Sequence, residues 1–226
     1  MQLIVNLDSD GSEISYDHSY QLFSSIISLV SGKDKGTADK LHTYNSNLRF
    51  NLSQLMPGGR RKFTNSGFYG DRFIFLISSL DSDLITHIRD LLNLSKEIEV
   101  LNHKLKIHST LIRDIQPSSE IITLRTRSPA ILKYNNKYLS NETEEIVLAA
   151  IQANIENKYM KVRGEKPNIK FIKIVKLKRK LVGIKGIKLP AFMLDIAICS
   201  KLEVLKFLID VGLGSKNQLG FGFLEI

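Results

Sequence analysis

Histidine is the residue type in this 226-residue chain best suited to moving protons, because its pKa lies near neutrality. No histidine lies three or four residues from another, and no carboxylate cluster accompanies any of them, so the ligand spacing of a metal site is missing. No Gly-x-Ser-x-Gly motif or cysteine–histidine arrangement predicts acyl transfer. The histidines therefore favour metal-free acid–base chemistry or a purely structural role, and we expect no metal and no cofactor. The five are His18, His42, His87, His103 and His108.

His42 is the best candidate for chemistry. It lies in the segment Lys40-Leu41-His42-Thr43-Tyr44-Asn45, between a helical pattern and a predicted strand that contains Arg49. A loop histidine beside cations and a hydroxyl suits proton transfer. On the residues alone, a solvent-facing loop histidine is the favoured interpretation.

The other histidines fit less active positions. His18, at the start of the first predicted helix, is the second choice and could be a cap or a surface residue. His87 lies in the middle of a helical pattern and is interpreted as structural. His103 and His108 fall in a lysine-containing strand pattern, where solvent-facing positions are expected.

A basic stretch dominates the charge of the chain, whose net charge is +9. Between Lys158 and Lys188 there are twelve lysines and arginines and one acid, Glu165. An exposed edge strand also carries lysine, and an acidic membrane surface would attract it. The size of the bias and the lack of an amphipathic helix favour the phosphate backbone of a nucleic acid. The predicted contacts are Arg125, Arg127, Lys173, Lys176, Lys178, Arg179 and Lys180.

The last 15 residues hold four of the 14 glycines and follow a helical pattern. Such a loop can turn at positive φ, and its amide groups can form an anion-binding nest. The order helix–loop–strand is the reverse of the usual nucleotide-binding fingerprints, which weakens a nucleotide site. A simple tight turn needs fewer glycines. The predicted loop site comprises Gly212, Gly214, Lys216, Asn217, Gly220 and Gly222.

The hydrophobic periodicity predicts an α+β protein in which one element order occurs twice. Strand, helix, strand, strand, helix, strand precede Pro117-Ser118-Ser119, and the same order follows it. This order is typical of the ferredoxin-like βαββαβ fold, also found in RNA-recognition domains. We therefore expect two domains in tandem, residues 1–116 and 119–226. Within them, strands are predicted at Ile98–Ile115 and Phe221–Ile226, and a basic turn at 57–62.

Composition sets limits on location and on cross-linking. The single cysteine, Cys199, excludes an internal disulfide and lies in a strand pattern as a core residue. The first residues lack the charged start and apolar length of a signal peptide. No window reaches 18 apolar residues, so no membrane span is expected. These features predict a cytoplasmic protein.

The glycine pattern Gly-x-Gly-x5-Gly-x-Gly, from Gly212 to Gly222, resembles the end of CRISPR-associated ribonucleases that cut repeat RNA. These belong to the repeat-associated (RAMP) superfamily. Two further segments are similar to that family: Ile122 to Pro129, a strand ending in Ser-Pro, and Asn157 to Pro167 after the second-domain helix. The resemblance covers most of residues 119–226. In the first half it depends on element order and on the region of His42.

The resemblance implies a metal-independent endoribonuclease that cuts CRISPR repeat transcripts (pre-crRNA). The RNA 2′-OH would attack the phosphate and leave a 2′,3′-cyclic phosphate and a 5′-OH. His42 would act as general base or acid, with Arg49, Tyr44 and Lys40 beside it. Many members add a tyrosine from the first helix and a lysine after the histidine. Here Ser25–Ser28 contains no tyrosine, and Arg49 stands near the lysine position.

Two other functions remain open. The first is a non-catalytic subunit that binds CRISPR RNA within an interference complex. The second is a basic ferredoxin-like protein that binds ribosomal or other structured RNA. The expected partners are repeat RNA and other CRISPR-associated subunits, with no membrane partner, and the chain could be a monomer or a homodimer.

Overall fold

A computed structural model describes residues 1–9, 11–32, 36 and 50–226. The predicted catalytic residues Lys40, His42, Tyr44 and Arg49 lie outside these described residues. No helix in the described ranges is long and apolar enough to cross a membrane.

The first half of the chain forms an antiparallel sheet. Its central strand β1 (Gln2–Asp8) pairs with β5 (Gly67–Ser78) on one side and β7 (His103–Arg113) on the other. Three strands, β2 (Ile14–Ser15), β3 (Asn51–Leu52) and β4 (Met56–Phe63), pair with β5, and β6 (Glu97–Val100) pairs with β7. The order β4–β5–β1–β7 is that of a ferredoxin-like sheet.

Two helices bury their apolar stripes against this sheet. The helix α1 (Ser19–Ser31) contributes Leu22, Ile26 and Val30 to a core that also contains Phe73 and Phe75. The second helix, α2 (Ser82–Ser95), begins at Asp81, whose carboxylate accepts from the amides of Asp83 and Leu84 at 3.1 and 3.0 Å. Asp81 is therefore the N-cap of α2, since a side-chain oxygen there satisfies free amides of the first turn.

The second half repeats the arrangement with its own core. Its sheet has the order β11–β12–β8–β13, with β8 at Ile121–Thr126, β11 at Ile169–Ile184, β12 at Ile187–Ser200 and β13 at Leu224–Glu225. The helices α3 (Glu144–Arg163) and α4 (Leu202–Val211) pack on one face of it. Two βαββαβ units in tandem therefore confirm the predicted fold class.

The remaining elements lie within the second unit. A small hairpin formed by β9 (Lys133–Tyr134) and β10 (Lys137–Tyr138) precedes α3, and a 3₁₀-helix at Asn217–Leu219 lies within the glycine-rich loop. The predicted boundary at Pro117–Ser119 falls between β7 and β8. That residues 1–116 and 119–226 are independent domains stays a prediction.

Three element predictions differ from the structure, each for a local backbone reason. The predicted strand at Ile98–Ile115 is the hairpin β6–β7, because Leu101 and Asn102 turn the chain at φ of 54° and 66°. The predicted basic turn at 57–62 is part of β4, which pairs with β5 across a bulge. The predicted strand at Phe221–Ile226 shortens to β13, because Gly222 has a φ of 68° and breaks the extended backbone.

Candidate nucleic-acid interface

Four lysines of β11, Lys173, Lys176, Lys178 and Lys180, share one open face of the second sheet. Lys173, Lys176 and Lys178 pair with Ala197, Asp195 and Met193 of β12, and residues two apart in a strand point to the same side. The intervening residues of β12 point the other way, into the core beneath α3 and α4. Lys180 follows Lys178 on the open face. The structure exposes all four lysines.

The two arginines predicted as contacts lie on β8 and just after it, and both are paired with acids. Arg125 Nε is 3.2 Å from Asp195 Oδ1, and Arg127 Nη1 is 2.7 Å from Glu225 Oε2. Asp195 and Glu225 thus offset part of the positive charge here. The arginines are held in place by these pairs, whereas Lys173, Lys176, Lys178 and Lys180 are exposed and open to a phosphate backbone.

Arg179 lies on the other side of β11 from this face. It pairs with the buried Phe192, and its guanidinium donates to the carbonyl oxygens of Ser140 at 3.2 Å and Glu142 at 2.8 Å. These carbonyls precede α3, so Arg179 ties β11 to the start of that helix. Its predicted RNA contact stays a prediction, and the structure gives the side chain a scaffold role as well.

The glycine-rich loop lies between the two halves of the protein and contacts both. Gly212, Gly214, Gly220 and Gly222 all have positive φ, from 68° to 89°. A Cβ on Gly212 would lie 2.7 Å from the Asn51 side chain, and one on Gly220 would lie 3.4 Å from Ser19. Since Asn51 and Ser19 belong to the first half, the absence of side chains on these glycines lets the loop pack against it.

Most amides of this loop already have partners inside the protein. Leu213 N donates to Gly222 O at 2.8 Å, Gly222 N to Pro129 O at 2.9 Å, and Ser215 N to Ile131 O at 2.8 Å. An anion nest needs free amides pointing at the ligand. The geometry therefore supports a role in holding the two halves together more directly than the predicted anion-binding role, and RNA contact by Lys216 stays a prediction.

A partly buried lysine, interpreted from the sequence only as part of the basic stretch, holds this loop. Lys158 of α3 donates from Nζ to Gly212 O at 2.8 Å and to Asn217 Oδ1 at 2.7 Å. Asn217 in turn donates from Nδ2 to Leu213 O and Phe221 O, at 3.0 and 2.9 Å. Burial lowers the pKa of Lys158 to about 7, from an ordinary value of 10.5. Asn217 and Lys158 thus lock the loop rather than face a ligand.

His18 is buried and structural, unlike the surface or catalytic residue considered from the sequence. Its Nδ1 lies 2.7 Å from Ser15 O and donates to it, so Nε2 is the acceptor for the Leu55 amide at 3.0 Å. Burial lowers the pKa of His18 to about 4. A histidine with both nitrogens engaged and no solvent access is fixed in its neutral form and connects β2, α1 and the segment before β4.

The tip of the β11–β12 hairpin reaches the start of α1. Lys188 Nζ lies 3.4 Å from Asp17 Oδ2, and Lys185 Nζ lies 4.0 Å from the centre of the Tyr20 ring. The second of these contacts engages Tyr20, the only tyrosine of α1. Across the described ranges, no three histidine, cysteine or acidic side chains converge as metal ligands would.

Comparison with known proteins places the chain in a family. Residues 112–226 match the family model described as CRISPR associated protein Cas6, C-terminal. The CRISPR-associated endoribonuclease Cas6 of Pyrococcus furiosus is 22% identical over 221 residues, 95% of this chain and 84% of that protein. The CRISPR-associated endoribonuclease Cas6 1 of Methanocaldococcus jannaschii is 24% identical over 245 residues, 99% of this chain and 92% of that protein.

The fold comparison agrees over the full length. A solved structure described as an RAMP protein binding different RNA substrates superposes with a TM-score of 0.85 at 20% identity, covering 100% of this chain and 98% of that one. The superposition confirms the tandem ferredoxin-like fold. Because the family model matches more than half of the chain, this protein belongs to the Cas6 family of CRISPR-associated proteins.

Proposed function

We propose that this protein is a metal-independent endoribonuclease that cuts CRISPR repeat transcripts into guide RNAs. The observation that carries the proposal is the family match over residues 112–226, which includes both the open lysine face and the glycine-rich loop. The two curated relatives are named as endoribonucleases, and the superposed structure is described as binding RNA. The exposed lysines of β11 are suitably placed to bind a phosphate backbone.

The proposed chemistry uses the nucleophile that RNA carries. A base removes the proton of the 2′-OH, the oxygen attacks the adjacent phosphorus, and the bond to the 5′-oxygen breaks as that oxygen gains a proton. The products are a 2′,3′-cyclic phosphate and a 5′-OH. His42 is the proposed base or acid, Arg49 and Lys40 the proposed cations for the non-bridging oxygens, and Tyr44 a hydroxyl donor.

The proposed RNA path runs over the open face of the second sheet. Lys173, Lys176, Lys178 and Lys180 would neutralise successive phosphates, and Arg125 and Arg127 would contribute where RNA displaces their acidic partners. The glycine-rich loop would hold the two halves at a fixed separation. Its locked geometry, centred on Lys158 and Asn217, supports this role.

Single-turnover cleavage of repeat RNA in excess EDTA tests the proposal. The wild type should give one set of products with cyclic-phosphate ends. Placing a 2′-deoxy nucleotide at the mapped cut should abolish cleavage there. Replacing His42→Ala should slow cleavage by about 10²-fold with affinity within a few-fold. The matched control, His108→Ala, replaces an exposed strand histidine near Asp8 and should cleave normally. Equal rates for both variants would remove His42 from the mechanism.

A second candidate is a non-catalytic RNA-binding subunit. The observation that favours it is the Ser25–Ser28 segment of α1, which lacks the tyrosine many relatives carry there, while Tyr20 is engaged by Lys185. This candidate predicts tight binding of repeat RNA with no product under the same conditions. Equal binding of repeat and unrelated RNA hairpins would instead favour a general structured-RNA binder.

A further inference from the structure

The β9–β10 hairpin stands apart from both large sheets. Its two strands pair only with each other among the described strands, with Lys133 opposite Tyr138 and Tyr134 opposite Lys137. Asn135 and Asn136 form the turn at φ of 50° and 63°. Positive φ at both central residues is the signature of a type I′ turn, which matches the strand twist and favours a well-defined hairpin.

An isolated hairpin is marginally stable in water, so its base must be anchored. Leu132 and Leu139 flank the hairpin, are buried, and are joined by a hydrogen bond of 3.1 Å from Leu139 N to Leu132 O. Ile131 is fully buried and accepts from Ser215 N of the glycine-rich loop at 2.8 Å. The hairpin is therefore fixed at its base while its tip is exposed.

Each face of the hairpin carries one tyrosine and one lysine. On the inner face, Tyr138 is partly buried and Lys133 Nζ lies 4.4 Å from the centre of its ring. On the outer face, Lys137 is exposed and Tyr134 is 37% exposed. No aromatic ring from the described part of the chain packs against Tyr134. The outer face thus presents an open ring and a cation.

The position of the hairpin connects two parts of the proposed RNA path. Arg179 of the basic strand β11 donates to Ser140 O and Glu142 O, directly after the hairpin. Ser215 of the glycine-rich loop pairs with Ile131, directly before it. From Ser128 to Asn141 the sequence contains no acid, so nothing within the segment repels a phosphate.

We propose that this hairpin is a contact site for single-stranded RNA, in which a base stacks on Tyr134 and Lys137 binds a neighbouring phosphate. The inference builds on the proposed function, because it assumes that RNA lies along the basic face. Stacking on an aromatic side chain tolerates any base, while a cation beside it fixes the backbone. The site would therefore add affinity for an unpaired stretch without selecting its sequence.

The chain contains no tryptophan, so a Tyr134→Trp variant carries one fluorescent reporter at the site. Titration with single-stranded repeat RNA should quench it, because a stacked base contacts the indole ring. The control is Leu202→Trp, at a half-exposed position on α4, whose fluorescence should change little. Binding is measured in parallel by filter retention. Retained RNA with no quenching at position 134 would overturn the inference.

Affinity measurements separate stacking from a general surface effect. Tyr134→Leu should weaken binding about tenfold, whereas Tyr134→Phe, which keeps the ring, should bind within about twofold of wild type. Lys137→Gln should lower the salt slope of log K by about 0.7, the value for one phosphate on a single strand. Normal RNA binding by Tyr134→Leu would refute the hairpin contact alone. Absence of RNA binding by the wild type would refute the proposed function as well.

Discussion

Two glycines with the same backbone angle separate steric crowding from backbone strain. Gly214 in the glycine-rich loop has a φ of 77°, and Gly164 at the end of α3 has a φ of 76°. A Cβ on Gly164 meets nothing within 4 Å, whereas a Cβ on Gly214 would lie 2.5 Å from the carbonyl oxygen of Ile131. Alanine at each position therefore incurs the same strain, and only Gly214→Ala adds a clash.

The expected magnitudes follow from these contacts. Alanine at a left-handed φ costs about 1–2 kcal/mol in the free energy of unfolding. At Gly214 the Ile131 oxygen must also move about 0.9 Å to reach the ordinary contact distance of 3.4 Å. That carbonyl accepts from Ser215 N, and a buried donor left without its partner costs about 1–3 kcal/mol. Gly214→Ala should therefore lose roughly 2–5 kcal/mol, against 1–2 for Gly164→Ala.

Urea unfolding followed by circular dichroism gives both free energies, and thermal melts provide a second measure. At about 2–4 °C per kcal/mol for a chain of this size, Gly164→Ala should melt roughly 2–8 °C below wild type. Gly214→Ala should melt at a lower temperature than Gly164→Ala. It should also bind RNA more weakly, because the glycine-rich loop would hold the two halves together less firmly. Gly222→Ala should be at least as destabilising as Gly214→Ala, because its Cβ would lie even closer to a carbonyl oxygen, that of Leu213.

Equal destabilisation by Gly214→Ala and Gly164→Ala would refute this reasoning. It would mean that the loop adjusts to an added methyl group without losing its hydrogen bonds. A folded Gly214→Ala protein with full RNA affinity would show that the loop does not hold the two halves in the RNA-binding arrangement.

Three further predictions concern charge. Because burial lowers the folded-state pKa of His18 from 6.5 to about 4, the unfolded chain binds more protons between these values. Unfolding free energy should fall by roughly 3 kcal/mol more in wild type than in His18→Gln as pH drops through this range. The pKa of Lys158 is lowered to about 7 in the folded protein, so the unfolded chain binds more protons between pH 7 and about 10. The free energy of unfolding should therefore rise over this range, and this rise should be absent in Lys158→Met. Replacing Lys173, Lys176 and Lys178 each by glutamine should reduce the salt slope of log K for RNA binding by about 2. The control variant replaces the exposed Lys104, Lys106 and Lys201 in the same way. An equally large change in the control would contradict the proposed interface on β11.

The fold could be predicted because it depends on local patterns. Helical spacing of apolar residues located α1, α2, α3 and α4, and alternation located most strands, since each element buries one face. The errors fall where single residues at positive φ redirect the chain, as at Leu101 and Asn102, where asparagine alone was a weak signal.

The site was only partly predictable. Lys176, Lys178 and Lys180 could be assigned to a common face from their spacing of two, whereas Lys173 joins that face only because of the bulge between Ile174 and Lys176. The hairpin at Asn135-Asn136 was missed, although two adjacent asparagines between short Lys-Tyr pairs were a turn signal. The role of Lys158 depends on partners 54 and 59 residues away in the sequence. That of His18 depends on the amide of Leu55, 37 residues away.

The sequence by itself determined the two-fold element order, the positive charge and the glycine pattern that indicates the family, because each is a property of residue type and spacing. Only the tertiary structure decided that most of the loop amides donate to groups inside the protein and that Lys158 of the basic stretch is partly buried against the loop. It also decided that His18 is locked between two backbone groups. Burial and hydrogen bonding depend on which distant segments meet, and no local pattern encodes that.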